Sequence, residues 1–73
     1  MSPEKLAYMA NQIGKFFAHQ THDKAVAAVA DHLRRFWDPR MRRELLQHFD
    51  DPAVHLDPLV REAVEQLRAP AAP

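Results

Sequence analysis

Apolar residues recur along this chain at spacings of three and four, the period of an α-helix, and no polar–apolar alternation runs long enough for a strand. In the first segment Leu6, Met9, Ile13, Phe16 and Phe17 fall on one stripe that must be covered. Ser2-Pro3-Glu4 precedes the stripe as a start signal. The serine oxygen can accept from a free N–H, proline fits the first turn, and the glutamate complements the helix dipole. A helix over about 3–18 follows. His19 to Asp23 is short and polar, with Thr21 or Asp23 placed to cap a second helix over 24–37 whose stripe is Val26, Val29, Leu33, Phe36 and Trp37.

The dipeptide Asp-Pro occurs at Asp38-Pro39, Asp51-Pro52 and Asp57-Pro58. Each pairs a capping side chain with a residue suited to the first turn, and each disfavours helix in the residue before the proline. The pattern therefore predicts a third helix over 39–49, carrying Met41, Leu45 and Phe49, and a fourth over 58–68. Asp50 to Asp57 between them is a loop with one turn around Pro52. The expected fold is all-α: a small single domain of four helices over 1–68, with no sheet and a flexible tail at 69–73. Gly14 costs its helix about 1 kcal/mol against alanine, which close approach of a neighbouring helix would explain.

A chain of 73 residues holds one core at most. At that size apolar burial and ordering entropy nearly cancel, so a staple or a partner is expected. Cysteine is absent, which removes disulfides, thiolate metal sites and a thiol nucleophile. The missing staple is thus expected to be a protein surface. Ten basic residues balance ten acidic ones, leaving no global field toward nucleic acid or anionic membrane. The longest apolar run, Ala25 to Ala30, is far short of a membrane span, and Met-Ser-Pro-Glu-Lys-Leu is no secretory signal, so the expected location is the cytoplasm.

Local chemistry is concentrated at one break. Arg34, Arg35, Arg40, Arg42 and Arg43 lie within ten residues, opposed there only by Asp38. Arginine forks onto carboxylates and phosphates, so such a group suits an acidic protein surface, a phosphate-bearing cofactor or nucleic acid. It equally suits a solvated helix face with local pairs such as Arg40 and Glu44. Phe36-Trp37 sits beside this group, and Phe16-Phe17 ends the first helix. Adjacent helical residues project about 100 degrees apart, so one ring of each pair is expected to face outward and the other inward, unless both pairs staple the bundle's end. His19-x-x-His22 is the one close histidine pair and lacks a third ligand at a recognised spacing. The lone serine, Ser2, is better used as a cap than as a nucleophile, and one glycine cannot build a phosphate loop. The chain is not expected to be an enzyme by itself.

Met9-Ala10-Asn11-Gln12-Ile13, Phe16-Phe17, His32-Leu33 and above all Phe36-Trp37-Asp38-Pro39-Arg40-Met41 resemble the delta subunit of NAD-dependent, molybdenum-containing formate dehydrogenases. The resemblance runs from about Leu6 to Leu67. It implies a non-catalytic accessory subunit that binds the catalytic alpha subunit, within a complex that includes beta and gamma subunits. It further implies support for insertion or retention of the alpha subunit's bis-molybdopterin guanine dinucleotide. The delta chain itself would bind no cofactor; iron-sulfur clusters and FMN would lie on other subunits. Combined with the arginine group and the paired aromatics, the resemblance makes Phe17, Phe36, Trp37, Arg34, Arg40, Met41 and Arg43 the candidate partner contacts. Asn11 and Gln12, polar residues beside an apolar stripe, are further candidates. Two other classes stay open: a helix-turn-helix-like nucleic-acid binder using Arg34 to Arg43, against which zero net charge weighs, and a self-assembling structural module.

Overall fold

A computed structural model describes residues 1–68. They form four helices, α1 (Pro3–Phe17), α2 (His22–Phe36), α3 (Pro39–Gln47) and α4 (Pro58–Arg68), with no strand among the described residues. The tail expected at 69–73 lies outside the described residues.

Two of the start signals cap as anticipated, while Thr21 precedes α2 without a side-chain cap bond. Ser2 accepts from the Lys5 amide at 3.2 Å, and Asp38 accepts from the Met41 amide at 2.9 Å, each with proline in the first turn that follows. Four boundaries differ from expectation, two of them by one residue: α1 ends at Phe17 rather than 18 and α2 at Phe36 rather than 37. Helix α2 begins at His22 rather than 24, because the Thr21 carbonyl already accepts from the Ala25 amide at 2.8 Å and so opens the helical ladder. Helix α3 stops at Gln47 rather than 49: the amides of His48 and Phe49 bond three residues back, to Leu45 and Leu46, tightening the last turn into an exit.

The core collects Leu6, Ala7 and Ala10 of α1, Val26, Val29, Ala30 and Leu33 of α2, Leu45 of α3, and Val60, Ala63 and Val64 of α4. Helix α2 packs chiefly on α4 and α1, the small alanines of all three elements permitting close approach. Gly14 faces α4: a Cβ built there would fall inside the contact distance of Val60 Cγ2, which accounts for a glycine in mid-helix. The loop after α3 is folded onto the same core, with Phe49, Val54 and Leu56 buried. Arg61 of α4 ties that loop down, donating to the Phe49 carbonyl at 3.3 Å and lying with its guanidinium 4.2 Å from the Phe49 ring centre.

Candidate functional site

The α2–α3 junction separates the candidate residues into those the fold consumes and those it leaves outward. Trp37 is 5% exposed and belongs to the core. Of the pair expected to place one ring inward and one outward, Trp37 is therefore the inward one, and as a candidate partner contact it gives way to Phe36: leaving α2 in an extended conformation, the chain turns the indole inward while Phe36 stays 70% exposed. Arg42 is consumed too. Its guanidinium reaches back to the carbonyls of Leu33 at 3.3 Å, Arg34 at 3.1 Å and Trp37, closing the end of α2, where helical carbonyls lack intrahelical partners. Arg34 donates to the Gln66 carbonyl in the last turn of α4 at 3.3 Å, and Arg35 pairs with Asp31 at 3.4 Å. Of the five arginines, Arg40 and Arg43 are exposed and make no ion pair among the described residues.

Their position is electrostatically unusual. Helix α3 has no acidic residue in its first turn, yet Arg40 stands there, at the positive end of the helix dipole. A cation at that end is mildly unfavourable, and the Asp38 carboxylate that caps the helix offsets it. Met41 is half-buried against the core, and Met1, Leu6, Arg40, Met41 and Glu44 line a recess of about 150 Å³.

Asn11 and Gln12 also part company. The Asn11 amide donates to the His55 carbonyl at 3.0 Å and its oxygen accepts from the Asp57 amide at 2.9 Å. Both ends of Asn11 thus serve to clamp the loop before α4 onto α1. Gln12 is exposed.

A feature the sequence reading missed joins α1 to α2. Phe16, 72% exposed, meets Phe17 edge-on with ring centres 5.1 Å apart; Phe17 is 6.3 Å from the His32 ring, and His32 is 4.7 Å from Phe36. Four rings therefore run in sequence across two helices, closed inward by the half-buried Phe17 and His32 and open outward at Phe16 and Phe36. His32 precedes Phe36 by one helical turn, so half of this row was legible as an i, i+4 pair. The link from Phe17 to His32 depends on how the two helices pack.

The remaining histidines are engaged locally: His22 pairs with Glu62, His48 lies 3.6 Å from Asp51, and His55 3.3 Å from Asp57. His19 and Phe16 meet through the Phe16 carbonyl at 3.1 Å. No group of three or more metal-ligating side chains occurs among the described residues. A second recess, about 360 Å³, lies between α1 and the start of α4 over an apolar floor of Gly14, Ala18, Leu59 and Val60. No helix among the described residues is long and apolar enough to cross a membrane.

A family model described as NADH-dependent formate dehydrogenase delta subunit, FdsD, matches residues 5–64, which take in parts of all four helices. The chain belongs to the FdsD family. No curated protein and no solved structure gives a significant match. Within the FdsD chain the string Phe36 to Met41 acquires a division of labour. Trp37, Asp38 and Pro39 build the junction, Met41 rests on the core, and Phe36 and Arg40 point to solvent.

Proposed function

We propose that this chain is a non-catalytic accessory subunit of an NAD-dependent formate dehydrogenase, acting in the cytoplasm by binding the catalytic alpha subunit alongside beta and gamma subunits. Its service to that enzyme is to support insertion or retention of bis-molybdopterin guanine dinucleotide in the alpha subunit. The family match supports membership in such a complex. The observation that carries the binding role is the outward pair at the junction, Phe36 at 70% exposure and Arg40 without an ion pair among the described residues. An exposed aromatic and an exposed arginine, four residues apart in the chain, have the composition of interface hot-spot residues.

The recess beside Arg40, at about 150 Å³, is smaller than the roughly 300–1,000 Å³ of sites that enclose drug-sized ligands. Arg40 beside so small a recess suits a surface contact, and on this reading the pterin dinucleotide stays on the alpha subunit. With Arg42 capping α2, Arg34 on α4 and Arg35 on Asp31, the arginine group also offers few free cations to a phosphate track.

The test is purification of the enzyme from cells expressing or lacking this chain. Expected are co-purification of the chain with the alpha subunit, and loss of both molybdenum content and formate-dependent NAD reduction without it. An enzyme of full cofactor content and activity from cells lacking the chain would sink the proposal.

A further inference from the structure

Glu4, Tyr8 and Asn11, at spacings of four and three, share one face of α1, and together with Ala53 and His55 of the loop before α4 they line a recess of about 320 Å³. Its far wall is fixed. Val54 and Leu56 are buried on either side of His55, the Ala53 amide donates to the Asp51 carboxylate at 2.9 Å, and Asn11 holds the His55 carbonyl and the Asp57 amide. A partner entering here would have little loop to order.

The lining has a definite chemistry. Tyr8 is 64% exposed and stacks on no other ring among the described residues. Glu4 is exposed and makes no ion pair among them. No lysine or arginine lines the recess, and the His55 imidazole faces the Asp57 carboxylate at 3.3 Å. An open aromatic face beside an unpaired carboxylate suits a cation, which the ring attracts through its quadrupole and the carboxylate through its charge. Other occupants fit worse. An apolar partner would cover Glu4 without a counter-charge, at a desolvation cost, and nucleic acid or an acidic protein surface would meet it as like charge.

We infer that this recess between α1 and the loop before α4 receives a basic side chain, a guanidinium or an ammonium, from the enzyme the chain serves. The inference rests on the accessory-subunit reading and adds to it a contact away from the α2–α3 junction and the chemistry of the partner group. Tyr8 stacks on the incoming cation, Glu4 pairs with it, and Asn11 keeps the loop wall in place.

The experiment adds the full-length chain to formate dehydrogenase purified from cells lacking it, and measures affinity at low and high salt. Tyr8→Leu is expected to weaken binding about tenfold, while Tyr8→Phe, which keeps the ring, binds as the wild type does. Glu4→Lys is expected to weaken binding about thirtyfold at low salt and less at high salt. Glu4 also complements the dipole of α1, so a thermal melt accompanies each variant, and Glu4→Gln, expected to lose about tenfold, replaces the lysine variant if that one does not fold. Wild-type affinity in folded Tyr8→Leu and Glu4 variants overturns the site. Loss in Tyr8→Leu with none in the Glu4 variants overturns the cation as occupant, and loss in the Glu4 variants alone overturns the recess in favour of a long-range charge effect. A free wild-type chain that sediments as a dimer, and as a monomer with Glu4→Lys, makes a second copy the occupant and overturns the enzyme as its source. A wild-type chain that does not bind the enzyme at all overturns the accessory-subunit reading beneath the inference, an outcome distinct from the others.

Discussion

Trp37→Ala would empty a site that is 5% exposed in the core, and substitutions of that kind cost about 3–5 kcal/mol. Phe36→Ala, at a position 70% exposed, is expected to change stability by about 0.5 kcal/mol or less. Urea denaturation of the two variants checks the contrast, and equal losses would mean that the rings are not divided as described. That division was half legible. Two adjacent aromatics cannot both face one core, but the sequence does not say which turns in; the extended conformation at Trp37, set by the Asp38-Pro39 break, decides it. Asn11 is the opposite case. A polar residue beside an apolar stripe was visible, but its partners, His55 and Asp57, are 44 and 46 residues away and depend on how the loop folds back. Asn11→Ala strands the Asp57 amide, which is part-buried, and is expected to cost about 1–3 kcal/mol by the same denaturation measurement.

At the scale of elements, the caps were readable because capping is local: serine or aspartate followed by proline satisfies an amide three residues on, whatever the rest of the chain does. What closes the far end of α2 was not readable. Arg42 sits eight residues beyond the Arg34 carbonyl it bonds, across a helix break, and sequence alone leaves it in one group with four other arginines. The distinction has a measurable consequence. Arg42→Ala exposes carbonyls at the end of α2 and is expected to cost about 1.5–3 kcal/mol, whereas Arg43→Ala is expected to be nearly neutral. Thermal melts of the two variants under one buffer check this. Gly14 tests the α1–α4 contact in the same way. Alanine raises helix propensity by about 1 kcal/mol, yet its Cβ would collide with Val60 Cγ2 of α4. Overpacking of that kind typically costs about 1–3 kcal/mol, so Gly14→Ala is expected to destabilise, while Gly14→Ala combined with Val60→Ala recovers part of the loss.

For the whole molecule the governing quantity is size. A chain of 73 residues that buries a single core stands close to the balance of burial against ordering entropy, and the exposed rings of Phe16 and Phe36 withhold further apolar area from that core. Phe16 and Phe36 inside would add burial, and leaving them outside makes the free chain less stable than its composition allows. Docking recovers that area. A partner that binds the folded form alone stabilises it by RT ln(1 + [L]/Kd), about 2.7 kcal/mol when the partner is at 100 times Kd. For a domain this small, each kcal/mol moves the melting temperature by about 4–8 °C. The chain is therefore expected to melt some 10–20 °C higher in complex with its enzyme than alone, read from tryptophan fluorescence of the buried Trp37 in an enzyme whose own tryptophans are subtracted with the chain-free complex. The Phe16→Ser, Phe36→Ser variant melts like the wild type when free but gains less from the same concentration of partner, because the affinity and not the fold has been altered. An equal gain for both chains would place the stabilising contact on another face.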